Sequence, residues 1–232
     1  MTQCFYCVNM IKIKRAARIL RAAVPLSALV PPFPVEKVMK CLKIRKDRTW
    51  YDIKVIETNK IPHQVEAVTF LDDCTVKILI VKDYEKYFNP ERKRWTLMHE
   101  LSHICLGHIF IPESGLTDTV RWYLDKEANK LTREVLLCKK LIDNWLFENE
   151  ELNPLIKRSM AHAFGVSAEA LNNTLSEYGM VKSANNYKCL FYPDILDCIS
   201  YNARKRCIFS NKPYKKCSQK TLETDFHIHL TV

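Results

Sequence analysis

Between residues 11 and 24, Ile13, Ala16, Leu20 and Val24 recur at helical spacing, with Arg15, Arg18 and Arg21 on the opposite side. That pattern predicts an amphipathic helix. Pro31-Pro32-Phe33-Pro34 follows as a stiff, extended connector, and Val35, Val38, Met39 and Leu42 predict a short helix over residues 35–43. The period then changes from 3.6 to 2. Residues 50–58, 65–71 and 75–81 read as strands, and Asp72-Asp73-Cys74 is a turn that joins the last two in a hairpin. After Asn89-Pro90, Leu97, Leu101, Ile104 and Cys105 return to helical spacing across residues 91–106. A longer stripe, Leu124, Ala128, Leu131, Val135, Cys138 and Ile142, predicts a helix across residues 119–142. Two further helices meet at Gly165-Val166-Ser167, with Ser167 as the N-cap of the second. Beyond residue 183 the periodicity dissolves into aromatic, Cys and Lys/Arg residues.

The helix over residues 91–106 carries an H-E-x-x-H motif: His99, Glu100 and His103. Residues four apart on a helix share one face, so both imidazoles can reach one metal ion. Glu100, beside the open coordination position, could take a proton from water acidified by that metal. The motif alone is common by chance, and a third ligand decides the matter. The His that a metzincin would place six residues past its second ligand is Ile109 here, so that pattern fails. His108 lies about 140° further around a continuing helix and cannot join the same ion unless Gly107 breaks the helix. A carboxylate from the 119–142 helix remains. Glu127 borders the apolar stripe there and could turn inward, though spacing fits a solvated flank residue equally well. Glu113 and Asp118 are the next acids available. For His108 and Tyr123, also near the motif in sequence, a packing role is the simpler expectation.

The segment Arg94-Trp95-Thr96-Leu97-Met98-His99-Glu100-Leu101-Ser102-His103, the Leu106-Gly107-His108 ending and the later Glu127-Ala128-Asn129 resemble the ImmA/IrrE family of zinc metallopeptidases. The family's pattern is an aromatic-Thr-Leu-x-H-E-L-G-H helix followed by a helix carrying E-A-N, and the likeness covers roughly residues 30–180. Ser102 stands where the family usually has Gly. The resemblance implies that His99, His103 and Glu127 ligate Zn2+, that Glu100 is the catalytic base, and that the chain cuts a transcriptional repressor of the helix-turn-helix kind. A descendant that binds DNA or protein through the same metal fold without catalysis is the alternative. Such a descendant would have no chemical reason to keep Glu100.

The expected fold is α+β: a small antiparallel sheet packed on the zincin-like H-E-x-x-H helix and the Glu127 helix. Residues 1–30 would form a basic amphipathic helical unit, 31–150 the metallopeptidase domain, 151–182 a helix-turn-helix-like segment and 183–232 a basic, Cys-containing tail. Strand 75–81 would lie at the sheet edge, where it could hold an extended substrate, or equally well inside the sheet. In the helix-turn-helix-like segment, Asn172 and Asn173 could contact DNA, but Glu169 and Glu177 favour a packing element.

Charge modifies this picture only at the ends. Of the net +10, residues 1–35 contribute +5 and residues 181–232 another +5, leaving the middle neutral. Nucleic acid is therefore a possible partner of the two ends and of residues 153–180, although ordinary solvated charge explains them as simply. The ten cysteines fall below the density of a disulfide scaffold. Cys105 and Cys138 sit on apolar faces as reduced core residues, and neither Cys4/Cys7 nor the widely spaced tail cysteines have zinc-site spacing. A cytoplasmic location is expected, and Pro25 splits the one short apolar run that could suggest a signal peptide. No apolar run approaches the roughly 20 residues of a membrane span.

Overall fold

The computed structural model describes residues 8–24, 31–62, 65–146 and 152–180, together with the backbone of strand 226–230. Its elements in order are α1 (Met10–Ala22), α2 (Val35–Cys41), β1 (Leu42–Lys46), β2 (Thr49–Thr58), β3 (Ala67–Asp72) and β4 (Thr75–Val81). Then come α3 (Tyr84–Tyr87), α4 (Pro90–Cys105), α5 (Asp118–Leu136), α6 (Lys139–Trp145), α7 (Pro154–Phe164), α8 (Ala168–Glu177) and β5 (Phe226–Leu230). The Cys4/Cys7 pair and residues 183–225 of the basic tail lie outside the described residues.

The protein is α+β, but its sheet is mixed rather than antiparallel. The order is β3-β4-β2-β1, extended by β5 on the far side of β1. β1 and β2 form an antiparallel hairpin, as do β3 and β4, yet β4 lies parallel to β2, with Val55 opposite Ile78. The second hairpin thus enters the sheet through β4 and leaves β3 at the edge. Strand 75–81 is therefore an inner strand, the second of the two placements its sequence allows. Its near-continuous apolar run fits a strand with a neighbour on each side, and Val76, Ile78 and Ile80 are fully buried on one face. The sequence pattern extends the preceding helix to residue 43, into the start of β1. Leu42 and Ile44 alternate with Lys43 and Arg45, which is a strand period, and both apolar residues are buried.

Among the described residues, three turns carry a non-glycine residue at positive φ, and in each it is an aspartate: Asp47 (56°) between β1 and β2, Asp73 (49°) between β3 and β4, and Asp83 (54°) before α3.

The helices begin where local chemistry starts them. Asn89 Oδ1 accepts from the Arg92 amide with Pro90 in the first turn of α4, and Asn153 does the same for α7 through the Ile156 amide. α1 packs along α5 by the face that the periodicity picks out: Ile13, Ala16, Ala17 and Leu20 are buried. Arg21 donates to the Glu134 and Val135 carbonyls at 2.8 and 2.9 Å, placing a cation on the last turn of α5. α7 and α8 meet at Gly165 in the left-handed conformation (φ 60°), whose carbonyl accepts from Arg94 of α4 at 2.7 Å. Phe164, Leu171 and Leu175 join the common core, Tyr178 Oη donates to the Leu137 carbonyl, and Glu177 pairs with Lys130 and Arg133 of α5. The C-terminal half of α8 is thus committed to packing. Among the described residues, no helix is long and apolar enough to cross a membrane.

Candidate metal centre

α4 and α5 pack side by side at a point where both carry small polar residues. Ser102 Oγ bonds the Met98 carbonyl at 2.8 Å and lies 3.0 Å from Thr132 Oγ1, both hydroxyls fully buried. The extra hydroxyl at the position where a glycine would be usual is satisfied on the spot, so it carries no desolvation penalty.

The metal candidates lie close by on the same two helices. His99 and His103 project from α4 with their Nε2 atoms 3.1 Å apart, and Asp125 Oδ1 from α5 lies 3.3 Å from His103 Nε2. All three offer ligand atoms within 4.8 Å of one another. Two donors bound at about 2.0–2.1 Å to one tetrahedral ion stand roughly 3.3 Å apart, so the spacing suits such an ion, as does a set of two imidazoles and one carboxylate. Asn129 Oδ1 lies 3.2 Å from His99 Nδ1, where it accepts that N–H and leaves Nε2 free to ligate. Burial, with the neighbouring His103 adding to it, holds His99 below its ordinary pKa, in the neutral form that a metal needs. His103 beside it outweighs partial burial and holds Asp125 below the usual carboxylate range.

Glu100, next to His99 on α4, reaches toward the sheet. Thr69 Oγ1, on β3, donates to Glu100 Oε2 at 2.5 Å. The edge strand and the acid therefore share one hydrogen bond.

The structure does not bring Glu127 into the three-residue group. Asp125 and Glu127 are two residues apart and hence about 200° apart around α5, so when one faces α4 the other cannot. Asp125 takes the inward face together with Asn129, one turn later. Glu127 turns to the opposite side, where Oε1 accepts the Asn9 amide at 2.8 Å and Oε2 lies 3.2 Å from His108 Nε2. The signal for Asp125 was its i, i+4 spacing from Asn129, which puts a ligand and a partner for the neighbouring imidazole on one face. Glu113 lies outside the group; its carboxylate pairs loosely with Arg121 at 3.9 Å.

His108 arrives by the route that helix geometry forbids to a continuous helix. Gly107 adopts φ 70°, α4 stops, and the chain folds back so that His108 Nδ1 lies 3.1 Å from His103 Nδ1. Its side chain is buried, and burial pushes its pKa down to about 4 against the opposing effect of Glu127. Lys12 Nζ donates to the Leu106 carbonyl at 2.5 Å at the same turn, and burial lowers its pKa despite nearby Glu127.

An α+β domain in which two imidazoles and a carboxylate converge from two packed helices carries a group that could hold a metal ion. The model of the IrrE N-terminal-like domain, peptidase family M78, matches residues 51–176, more than half of the sequence, and the chain belongs to this ImmA/IrrE family. None of the curated proteins matches it. Among solved structures, a Mycobacterium tuberculosis transcriptional regulator is similar with TM-score 0.46 and 13% identity, over 72% of this chain and 47% of that one. The chain thus spans about half the length of that protein.

Proposed function

We propose that the protein is a zinc-dependent metalloendopeptidase with Glu100 as general base and His99, His103 and Asp125 as metal ligands. The observation that carries this reading is the convergence of the His99 and His103 Nε2 atoms and Asp125 Oδ1, with Glu100 on the same helix as the two histidines. A bound zinc would supply a Lewis acid that polarises the scissile carbonyl and acidifies water. Asn129 sets the His99 ring so that its Nε2 lone pair faces the centre. Glu100 takes the proton of the attacking water and returns it to the leaving amine, while Thr69 holds the carboxylate on the sheet side of α4. β3, at the edge of the sheet among the described residues and next to Glu100, is a strand on which an extended peptide can pair.

The resemblance to repressor-cutting peptidases supports a helix-turn-helix repressor as substrate. Replacing Glu100 by Gln tests the reading, because an amide keeps size and shape but cannot accept the proton. Fold and metal content should be unchanged, with cleavage of the repressor falling about 10²–10⁴-fold. If wild type and Glu100→Gln relieve repression equally in cells, with the repressor intact in both, the peptidase reading is wrong and the chain acts as a binding regulator.

A further inference from the structure

We propose that His108 and Glu127 are positioning residues that set the tautomer and orientation of His103, and that the N-terminus of α1 holds them in place. This rests on the metal-centre reading above and adds the groups behind it.

The argument is one of donors and acceptors. An ionised carboxylate can only accept, so Glu127 Oε2, 3.2 Å away, requires a proton on His108 Nε2. A neutral imidazole with Nε2–H has a lone pair on Nδ1. That lone pair faces His103 Nδ1 at 3.1 Å and requires a proton there. His103 is then left with its lone pair on Nε2, the nitrogen beside His99 Nε2 and Asp125, where a bound metal would stand in place of a proton between Nε2 and the Asp125 carboxylate. His99 receives the same instruction directly from Asn129. Each histidine thus has its outer nitrogen assigned, one by an amide oxygen and the other through a buried imidazole backed by a carboxylate.

The carboxylate has its own anchor. Glu127 Oε1 accepts the Asn9 amide at 2.8 Å, while the Asn9 side chain caps α1 by accepting from the Lys12 amide at 3.0 Å. Lys12 Nζ pins the Leu106 carbonyl, just before the reversal at Gly107 that delivers His108. Asn9 and Lys12 both precede the family-matched residues 51–176. An element outside the matched domain therefore closes the back of the centre.

Two measurements on the full chain test this. Long-range 1H–15N correlation of the histidine rings in wild type should show His108 as the Nε2–H tautomer and His103 as the Nδ1–H tautomer. His108 as the Nδ1–H tautomer would overturn the proposal, and this readout needs no variant to fold. Zinc affinity by chelator competition, and the visible spectrum of the cobalt(II) form, should then be compared for wild type, His108→Phe, Glu127→Ala and Glu127→Gln. The first two variants should bind zinc about 10–100-fold more weakly with a shifted cobalt spectrum. Glu127→Gln, which keeps an acceptor oxygen, should recover most of the affinity. Folded variants with wild-type affinity and spectrum would overturn the proposal. Failure of wild type to take up either metal would instead sink the metal-centre reading, while the tautomer measurement would still decide this one.

Discussion

The Thr69 hydroxyl donates to Glu100 across the gap between the edge strand β3 and helix α4, at 2.5 Å. In the proposed mechanism, Glu100 would thereby be oriented by the strand on which an extended substrate would lie. Thr69→Val keeps the shape of the side chain and removes the donor. A hydrogen bond to a charged group contributes about 1.5–3 kcal/mol, so the hydrolysis rate per bound metal should fall by about 10–150-fold, with zinc content unchanged. Thr69→Ser should restore the rate. Equal rates for wild type and Thr69→Val would show that Glu100 needs no such anchor.

Asp125 and Glu127 should differ in kind. Asp125→Ala removes a group that touches the centre, and metal content measured by mass spectrometry after dialysis should drop to near zero. Glu127→Ala should weaken binding without abolishing it, because its carboxylate acts through His108. The reverse order, with Glu127→Ala the more severe, would place the third ligand at Glu127.

Glu66 gives the protein an acid-sensitive hinge between sheet and helix. Burial opposes its ionisation, but hydrogen bonds from Arg92, Tyr84 and Thr96 outweigh that, and its pKa lies below the ordinary value. Conversely, burial and Glu66 together raise the Tyr84 hydroxyl to about 12, so it stays a donor throughout the physiological range. For a depressed carboxylate, the stabilisation is fully present above the unfolded pKa of about 4.3 and is lost as pH falls through the lower folded value. Urea midpoints measured from neutrality down through that window should decline in wild type. In Glu66→Gln they should decline less steeply, from a lower starting midpoint; identical slopes would remove Glu66 from the acid response.

Gly165 disfavours a side chain. Its φ of 60° strains any other residue, and a Cβ there would press on the end of the Arg94 side chain, which would have to move. Gly165→Ala should cost about 1–2 kcal/mol from the backbone alone, more with the clash. Arg94→Ala in the same chain should recover only the clash. A thermal-melt cycle of the two single variants and the double variant separates these contributions.

The sequence is most legible where a pattern is long. α1, α4 and α5 each repeat an apolar face over several turns, and Ile13, Leu101 and Leu131 are buried as their spacing requires. It is least legible where the outcome depends on which surfaces meet. Nothing local in Thr75–Val81 says that β2, some twenty residues earlier, will pair with it in parallel, although its unbroken apolar run favours an inner position. β1 is short and sits directly behind a helix, so two alternations are all that mark it. At the centre, the two histidines follow from i, i+4 geometry on one helix. Which carboxylate faces the histidines depends on the rotation of α5 against α4, that is, on how the buried faces of the two helices meet, with Ser102 against Thr132 among them, rather than on the acids themselves. That rotation favours Asp125 over Glu127.

The three left-handed aspartates carry a separate consequence, for how the chain could be strengthened. With only four glycines in 232 residues, these reversals are made by a residue that restricts the unfolded chain more than glycine does, at the cost of local steric strain in the native turn. The two effects oppose each other, so each turn is a place where evolution has left a small margin unused. Asparagine, which tolerates the left-handed region through its short polar side chain, would relieve strain at Asp47, Asp73 and Asp83 without loosening the denatured chain. Those positions lie in turns away from the histidines, so the protein could be made more heat-resistant there while its chemistry is left alone.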